Sequence, residues 1–141
     1  MNENIVRVGI AAIIIKDGKV LLHKRKSKHA HGMWGFPGGH LEFNEDFENS
    51  IRREIKEETN LDVGRIIGPV FVANNIYSNE GKHYVTLFMQ AQYTNGEAQI
   101  MEPEKCECWQ WFGKNDLPAN LMPPILDLIN SKDIFEVKNE Q

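Results

Sequence analysis

One segment constrains this chain more than any other: residues 45–59 have the pattern of an amphipathic helix with acidic residues beside its apolar stripe. Apolar residues recur in it every four positions, at Phe47, Ile51 and Ile55. On a helix that turns about 100° per residue, Glu54 and Glu58 fall within about 20° of Phe47 and so overlap or adjoin this core-facing stripe. Solvated glutamates would lie on the opposite side of the helix. The segment therefore predicts carboxylates that are partly removed from water.

Residues that favour helix ends mark the bounds of this helix. Asn44 is a good N-cap residue, and Asn60 favours the left-handed conformation that ends a helix. Acidic residues suit the positive end of the helix dipole, and three of them come first: Glu45, Asp46 and Glu48. We therefore predict a helix over residues 45–59.

The spacing of Glu54, Glu57 and Glu58 brings three carboxylates together on one side of the helix. They repel one another, and partial burial raises their pKa values, so a positive group is needed nearby. Arg53 can pair with only part of that charge. A divalent cation is the simplest answer, and all-oxygen ligation favours Mg²⁺ or Mn²⁺ over zinc or copper.

A basic segment precedes the glycine-rich stretch of residues 32–39. It contains four basic residues and no acidic ones: Lys24, Arg25, Lys26 and Lys28. Since Mg²⁺ usually takes part of its shell from substrate phosphates, these residues are candidates for phosphate contacts. A solvated basic edge that discourages strand pairing explains them equally well. His40, directly after the glycine pair, is a candidate phosphate donor or a structural loop residue.

The remaining pattern indicates a mixed α/β chain. An apolar hairpin is predicted over residues 6–15 and 20–23, with Asp17 and Gly18 at its turn. Further strands are predicted over residues 66–74, 83–93 and 106–112, and a short helix over residues 123–130. Because the sequence contains no recognisable repeat or linker, we expect one domain over residues 1–141.

Composition excludes several classes of protein. With 41% hydrophobic and 26% charged residues, the chain resembles an ordinary globular protein, and its net charge of -4 disfavours binding to a nucleic-acid polymer. The longest apolar run, residues 8–15, is far shorter than the ~20 residues of a membrane span. Residues 1–4 lack a basic region and a cleavage site, so we expect no signal peptide and a cytoplasmic protein.

Cys106 and Cys108 are the two cysteines. A bridge across one intervening residue would be strained, and neither a CxxC pair nor a paired histidine motif accompanies them. We expect both to be reduced packing residues.

The segment of residues 39–61 resembles the Nudix box, GX5EX7REUXEEXGU, where U is aliphatic. Its fixed positions match in register: Gly39, Glu45, Arg53, Glu54, Ile55, Glu57, Glu58 and Leu61. One position departs, because Asn60 replaces the final glycine, and asparagine is the next-best residue in the left-handed conformation. Residues 83–89 and 101–107 are similar to segments of small MutT-like nucleotide-pool enzymes.

The resemblance implies the Nudix fold, an α/β/α sandwich of the α/β (α+β mixed sheet) class with a catalytic loop-helix-loop. It also implies metal ligands at four positions: the Gly38 carbonyl, Glu54, Glu57 and Glu58. By the same resemblance Arg53 orients these glutamates, and Glu45 supports the loop-helix-loop indirectly, through water or a second metal. Mg²⁺ or Mn²⁺ is the implied cofactor.

Outside the box the resemblance implies further site residues. Arg25 looks like the phosphate-contacting arginine of the family. Together with Gly39 of the box and the candidate phosphate donor His40, it makes up the expected substrate-binding set. Glu104 resembles a late acidic residue that assists the metal or the base, and Glu102 and Glu107 compete with it for that role. The catalytic set is thus Glu57, Glu58, Arg53 and Glu104.

The implied reaction is hydrolysis of a nucleoside triphosphate, including oxidised or modified deoxynucleotides, to a monophosphate and pyrophosphate. One alternative is hydrolysis of ADP-ribose, a nucleotide sugar or an isoprenyl diphosphate. Another is that the protein is a catalytically silent nucleotide sensor. Aromatic residues could supply a base-stacking platform: Trp34, Phe36, Tyr77, Trp109 and Trp111. The N-terminal hairpin could pair across a homodimer. The partner is a small molecule, with neither membrane nor nucleic-acid polymer expected.

Overall fold

A computed structural model describes residues 4–135, so most of the N-terminal stretch on which the expectation about a signal peptide rests lies outside the described residues. The strands are β1 Val6–Lys16, β2 Lys19–Arg25, β3 Trp34–Gly35, β4 Gly38–His40, β5 Asp62–Tyr77, β6 Lys82–Asn95 and β7 Cys106–Gly113. The helices are α1 Phe47–Thr59 and α2 Pro123–Ser131, with a 3₁₀ turn at Ser78–Glu80. Within residues 4–135 no helix is long and apolar enough to cross a membrane.

The strands form one mixed sheet in which β1 is central. Its main path runs β3-β2-β1-β6-β5, while β4 pairs with β1 and β7 pairs with β2. β1 and β2 form the predicted antiparallel hairpin, and both turn residues, Asp17 and Gly18, have positive φ. β1 and β6 pair in parallel, from Val6 opposite His83 to Ile15 opposite Gln92. The arrangement brings the glycine-containing β4 against the middle of β1.

The two helices cover opposite faces of this sheet. Alternate residues of a strand point to opposite faces, and Ile10, Ala12 and Ile14 of β1 pack in one cluster with Ile51 and Ile55 of α1. The other face is packed by a second cluster, which includes Ile13, Val20, Leu22, Ile125 and Leu128. Since Ile125 and Leu128 belong to α2, the sheet lies between the helices, and the predicted mixed α/β fold is confirmed.

Two details of the α1 prediction are wrong. The N-cap is Asp46, whose side chain accepts a hydrogen bond from the Asn49 N–H, whereas Asn44 has φ 68° and lies in the preceding turn. Phe47 is 39% exposed, because the buried side of the helix begins one turn later. That side comprises Ser50, Ile51, Glu54, Ile55 and Thr59. The helix stop is confirmed, since Asn60 has φ 61°.

The other elements agree with prediction and extend slightly beyond it. β5, β6 and β7 contain the predicted strands, and α2 begins at the predicted proline pair. Cys106 and Cys108 are free, and Cys106 is buried. The expectation of an unbridged packing residue is therefore confirmed for Cys106, whereas Cys108 is unbridged and half-buried.

Candidate active site

The glycine pair of β4 is the floor of the candidate site, and close approach explains why both positions are glycine. A Cβ atom on Gly38 would collide with the Ile10 carbonyl, and its distance to the Ala11 Cα would be 2.9 Å. On Gly39 it would collide with the Glu54 carboxylate, with Oε1 at 2.7 Å. Replacement would therefore push β4 away from β1 or displace the carboxylate.

Glu58 is tied directly to this floor. The backbone N–H of Gly38 donates a hydrogen bond of 2.8 Å to Glu58 Oε1. Burial raises the pKa of Glu58 to about 8, and the hydrogen bond from Gly38 opposes that shift. Burial likewise raises the pKa of Glu54, which is 9% exposed, while Arg53 opposes the shift. The prediction of desolvated carboxylates beside the apolar stripe is confirmed for these two residues.

Arg53 holds three glutamates at once. Its Nε and Nη2 atoms donate to the two carboxylate oxygens of Glu45 at 2.8 and 3.0 Å. Its Nη1 atom donates to Glu54 Oε1 at 2.7 Å and to Glu57 Oε2 at 3.3 Å. The hydrogen bonds from Arg53 lower the pKa of Glu45 to about 2. Glu45 is therefore tied directly to the helix through Arg53.

Glu54, Glu57 and Glu58 line an acidic cleft of about 460 Å³. The charged side chains around it are Arg25, Glu42, Arg53, Glu54, Glu57, Glu58, Glu102 and Lys105. Glu57, at 53% side-chain exposure, is the most open of the three glutamates on the helix that line the cleft. Positive and negative groups thus line the same opening.

The late acidic residue that reaches the cleft is Glu102. It lines the wall, and its charge raises the pKa values of Glu54 and Glu58 further. Glu104 is exposed and is not among the described residues that line the cleft, so the structure does not bring it together with the other predicted site residues. Glu107 instead forms an ion pair of 3.4 Å with Lys24.

The donor set fits a hard divalent cation, although the ligands are not preassembled. Among residues 4–135, no three histidine, cysteine or acidic side chains converge as a ready ligand group. One oxygen of Glu54 and one of Glu57 accept a hydrogen bond from Arg53, and one oxygen of Glu58 accepts from the Gly38 N–H. Their second oxygens accept no hydrogen bond from the described residues. Three carboxylates with free oxygens beside one cleft match the preference of Mg²⁺ or Mn²⁺.

A second cavity, of about 190 Å³, adjoins the cleft and has aromatic walls. Its ring-bearing residues are His23, His29, Phe36, His40, Tyr77 and Tyr84. Tyr84 stacks with His40 at 5.8 Å between ring centroids and with His29 at 6.1 Å. Tyr77 contacts the same tyrosine edge to face at 6.3 Å. The cavity offers flat apolar surfaces of the kind that bases stack on.

Only Phe36 and Tyr77 of the five predicted aromatic candidates line this aromatic cavity. Trp34 packs edge to face on Phe112. Trp109 and Trp111 pack against the apolar cluster beneath α1. Sequence reasoning missed Tyr84, although its alternation with Thr86 and Phe88 on β6 placed all three on one face.

The acidic cleft and the aromatic cavity share six lining residues: His23, Arg25, Gly38, Gly39, His40 and Glu58. Arg25 is the one member of the basic segment that lines both, and its Nε donates to the His29 carbonyl at 3.2 Å. Lys26 and Lys28 are exposed. The predicted substrate residues Arg25, Gly39 and His40 are thus brought together at one junction.

A model of the NUDIX domain matches residues 4–130, which include every residue of this site. The chain belongs to the NUDIX family. The loop-helix-loop that carries Gly39, Arg53 and the three glutamates is therefore the Nudix box in its folded form.

Known NUDIX proteins are similar to the chain over stretches of different length. An ADP-ribose pyrophosphatase of Methanocaldococcus jannaschii is 33% identical over 115 residues, which cover 79% of this chain and 64% of that protein. An 8-oxo-dGTP diphosphatase of Buchnera aphidicola is 40% identical over 57 residues, 40% of this chain and 44% of that protein. The chain thus spans less than two thirds of the length of these curated relatives.

The solved structure of a MutT NUDIX hydrolase from Burkholderia pseudomallei superposes with a TM-score of 0.83 and 34% identity. The match covers 90% of this chain and 98% of that one. The described NUDIX fold is therefore close to that of an experimentally determined relative.

Proposed function

We propose that this NUDIX protein hydrolyses nucleoside triphosphates to monophosphates and pyrophosphate. The observation that carries the proposal is the junction of an acidic cleft with an aromatic cavity through six shared residues. A nucleoside triphosphate has the same division, with charged phosphates at one end and a flat base at the other. The 8-oxo-dGTP diphosphatase similar to this chain acts on a substrate of that class.

The side chains can be assigned roles from their positions. Glu54, Glu57 and Glu58, with the Gly38 carbonyl, would hold Mg²⁺ or Mn²⁺, and Arg53 keeps the first two in place through its hydrogen bonds. When bound, the ion supplies neutralisation of phosphate charge. Arg25 lies where it can bind a phosphate oxygen from the aromatic side of the junction.

The reaction itself needs no covalent intermediate with the protein. A water oxygen forms a bond to the α-phosphorus while the bond to the bridging oxygen breaks, and pyrophosphate leaves. One carboxylate of the cleft accepts the proton of the attacking water. Glu57 and Glu58 are the candidates, since the former is open to solvent and the latter lies at the junction.

Hydrolysis of ADP-ribose is the second candidate. It is favoured by the 33% identity with an ADP-ribose pyrophosphatase, and the aromatic cavity would accept the adenine of that compound equally well. The two reactions differ in the group on the far side of the diphosphate and therefore in their products.

A product screen separates the candidates. The protein is incubated with Mg²⁺ or Mn²⁺ and with nucleoside triphosphates, ADP-ribose, nucleotide sugars or isoprenyl diphosphates. Triphosphate hydrolysis yields phosphate only after inorganic pyrophosphatase is added. ADP-ribose hydrolysis yields phosphate only after alkaline phosphatase is added, because its products are phosphomonoesters. Isoprenyl diphosphate hydrolysis yields phosphate directly.

The variant Glu58→Gln is the matched control for contaminating activity in this screen. A signal that depends on pyrophosphatase, appears with triphosphates and is lost in this variant supports the proposal. Preferential cleavage of ADP-ribose replaces it with the second candidate. Tight nucleotide binding without turnover of any compound contradicts both and indicates a sensor module.

A further inference from the structure

His23 is a buried histidine at the place where the two cavities meet. It lies on β2, is 7% exposed, and lines both the acidic cleft and the aromatic cavity. Its ring packs against Trp109 of the neighbouring strand, with 4.9 Å between centroids. None of the roles assigned above uses this residue.

The hydrogen bonding of His23 fixes its tautomer. Its Nδ1 atom lies 3.0 Å from the carbonyl oxygen of Gly35. A carbonyl only accepts, so Nδ1 carries the hydrogen and donates it. In a neutral ring the other nitrogen, Nε2, then has a free lone pair. Nε2 has no hydrogen-bond partner among the described residues, and His23 lines both the acidic cleft and the aromatic cavity.

The surroundings keep this ring neutral. Burial lowers the pKa of His23 to about 4, and the nearby charge of Arg25 contributes to the shift. The hydrogen bond to Gly35 opposes it without reversing it. At neutral pH the wall of the junction therefore carries a fixed, uncharged hydrogen-bond acceptor, in contrast to the donor-only guanidinium of Arg25 beside it.

A nucleotide places its sugar at this junction if its phosphates occupy the cleft and its base the aromatic cavity, because the sugar links the two. Sugar hydroxyls are the hydrogen-bond donors of that linking unit. We propose that His23 Nε2 accepts a hydrogen bond from a sugar hydroxyl and so makes the site selective for the sugar of its nucleotide. This inference rests on the proposed function, because it takes the substrate to be a nucleotide.

Glu58 and His40 could accept a hydrogen bond at the same junction, but neither is suited to this role. Glu58 is a carboxylate assigned to the metal, and it already accepts from Gly38. His40 is exposed and is free to be solvated. Among the side chains of the six described residues that line both cavities, only that of His23 combines burial, neutrality and an unused acceptor. Loss of a donor on the ligand therefore leaves its lone pair unpaired in a poorly hydrated wall.

Binding of the product nucleotides tests the inference independently of turnover. Calorimetry with Mg²⁺ compares AMP with 2′-deoxy-AMP and 3′-deoxy-AMP, and the guanine series repeats the comparison. We expect removal of one of the two hydroxyls to weaken binding by at least about fivefold. Replacement of that hydroxyl by fluorine, which cannot donate, should weaken binding equally. Equal affinities across the series, or no binding of any monophosphate, would overturn the inference.

The variant His23→Phe assigns the effect to this side chain. It keeps an aromatic ring against Trp109 but has no nitrogen, so the preference for the hydroxyl should vanish. His23→Gln retains a terminal acceptor and should retain the preference. His31→Phe, in an exposed loop position outside both cavities, should leave all affinities unchanged.

The outcomes separate this inference from the proposed function. A preference that survives in folded His23→Phe, as judged by a cooperative thermal transition, overturns the role of His23. If that variant does not fold, the fluorine and deoxy series on the unmodified protein decides. Hydroxyl-dependent monophosphate binding combined with no triphosphate hydrolysis contradicts the proposed function and supports the role of His23.

Discussion

The backbone N–H of Gly38 donates to Glu58 Oε1 at 2.8 Å, and this single bond joins the glycine strand β4 to the acidic helix α1. It engages one carboxylate oxygen and leaves the other free beside the cleft. Gly38 also lies so close to β1 that a Cβ atom would not fit there. A displacement of β4 at this position would therefore also move the hydrogen-bond donor away from Glu58.

Glu58→Gln and Glu57→Gln should each lower kcat by at least about a hundredfold, the scale of a lost general base or metal ligand. Glutamine retains an acceptor for the Gly38 N–H but loses the negative charge. Steady-state kinetics on the substrate found in the screen would measure the effect. Glu48→Gln is the matched control, because Glu48 is an exposed carboxylate on the same helix paired with Arg52. Near-normal turnover in either box variant, with the control also normal, contradicts the assignment.

The position of Glu102 leads to a different prediction for the late acidic residue. Glu102→Gln removes a charge from the wall of the cleft and should lower kcat/KM about tenfold or more, with a higher Mg²⁺ requirement. Glu104→Gln should remain within about twofold of the unmodified protein, because Glu104 is exposed outside the cleft. Magnesium titrations of initial rate for both variants provide the measurement. A larger loss in the Glu104 variant would reverse the assignment.

Local spacing was sufficient to predict the acidic helix. The positions of Glu54 and Glu58 relative to Ile51 and Ile55 follow from the geometry of a helix. The burial of Glu54 and the partial burial of Glu58 could therefore be derived before any tertiary contact was known. The exposure of Phe47 could not be derived in this way, because it depends on where the sheet beneath the helix ends. Periodicity specifies a face of the helix but not how far along it the core extends.

The parts of the site that sequence reasoning missed depend on pairing between distant strands. His23 reaches the junction because β2 lies between β3 and β7. Tyr84 reaches the aromatic cavity because β6 pairs in parallel with β1. Whether Glu102 or Glu104 lines the cleft depends on the turn before β7. In that turn the Glu102 carbonyl accepts from the N–H groups of Lys105 and Cys106. None of these contacts has a signal in a short window of sequence.

The lowered pKa of His23 predicts a dependence of stability on pH. The folded value is about 4 and the ordinary value is 6.5, so between these limits the unfolded chain binds more protons. Stability should therefore fall as the pH drops from 6.5 towards 4, by up to about 1.4 kcal/mol per pH unit from this residue. Urea unfolding of His23→Phe should show a shallower dependence in that window and run parallel to the unmodified protein above pH 7. Parallel curves throughout would contradict the neutral, buried state of the ring.

Asn60, the one departure from the Nudix box, ends α1 with φ 61°, and its N–H donates to the Lys56 carbonyl. Glycine adopts this conformation without a steric penalty, whereas a Cβ-bearing residue without a short polar side chain does not. Asn60→Gly should therefore be at least as stable as the unmodified protein, and Asn60→Ala less stable than the glycine variant by about 1 kcal/mol. Urea midpoints measure both, and Asn130→Ala, at an exposed position of α2, should change stability by less than about 0.5 kcal/mol. Equal stability of the alanine and glycine variants would show that the left-handed turn at Asn60 does not limit the stability of the box.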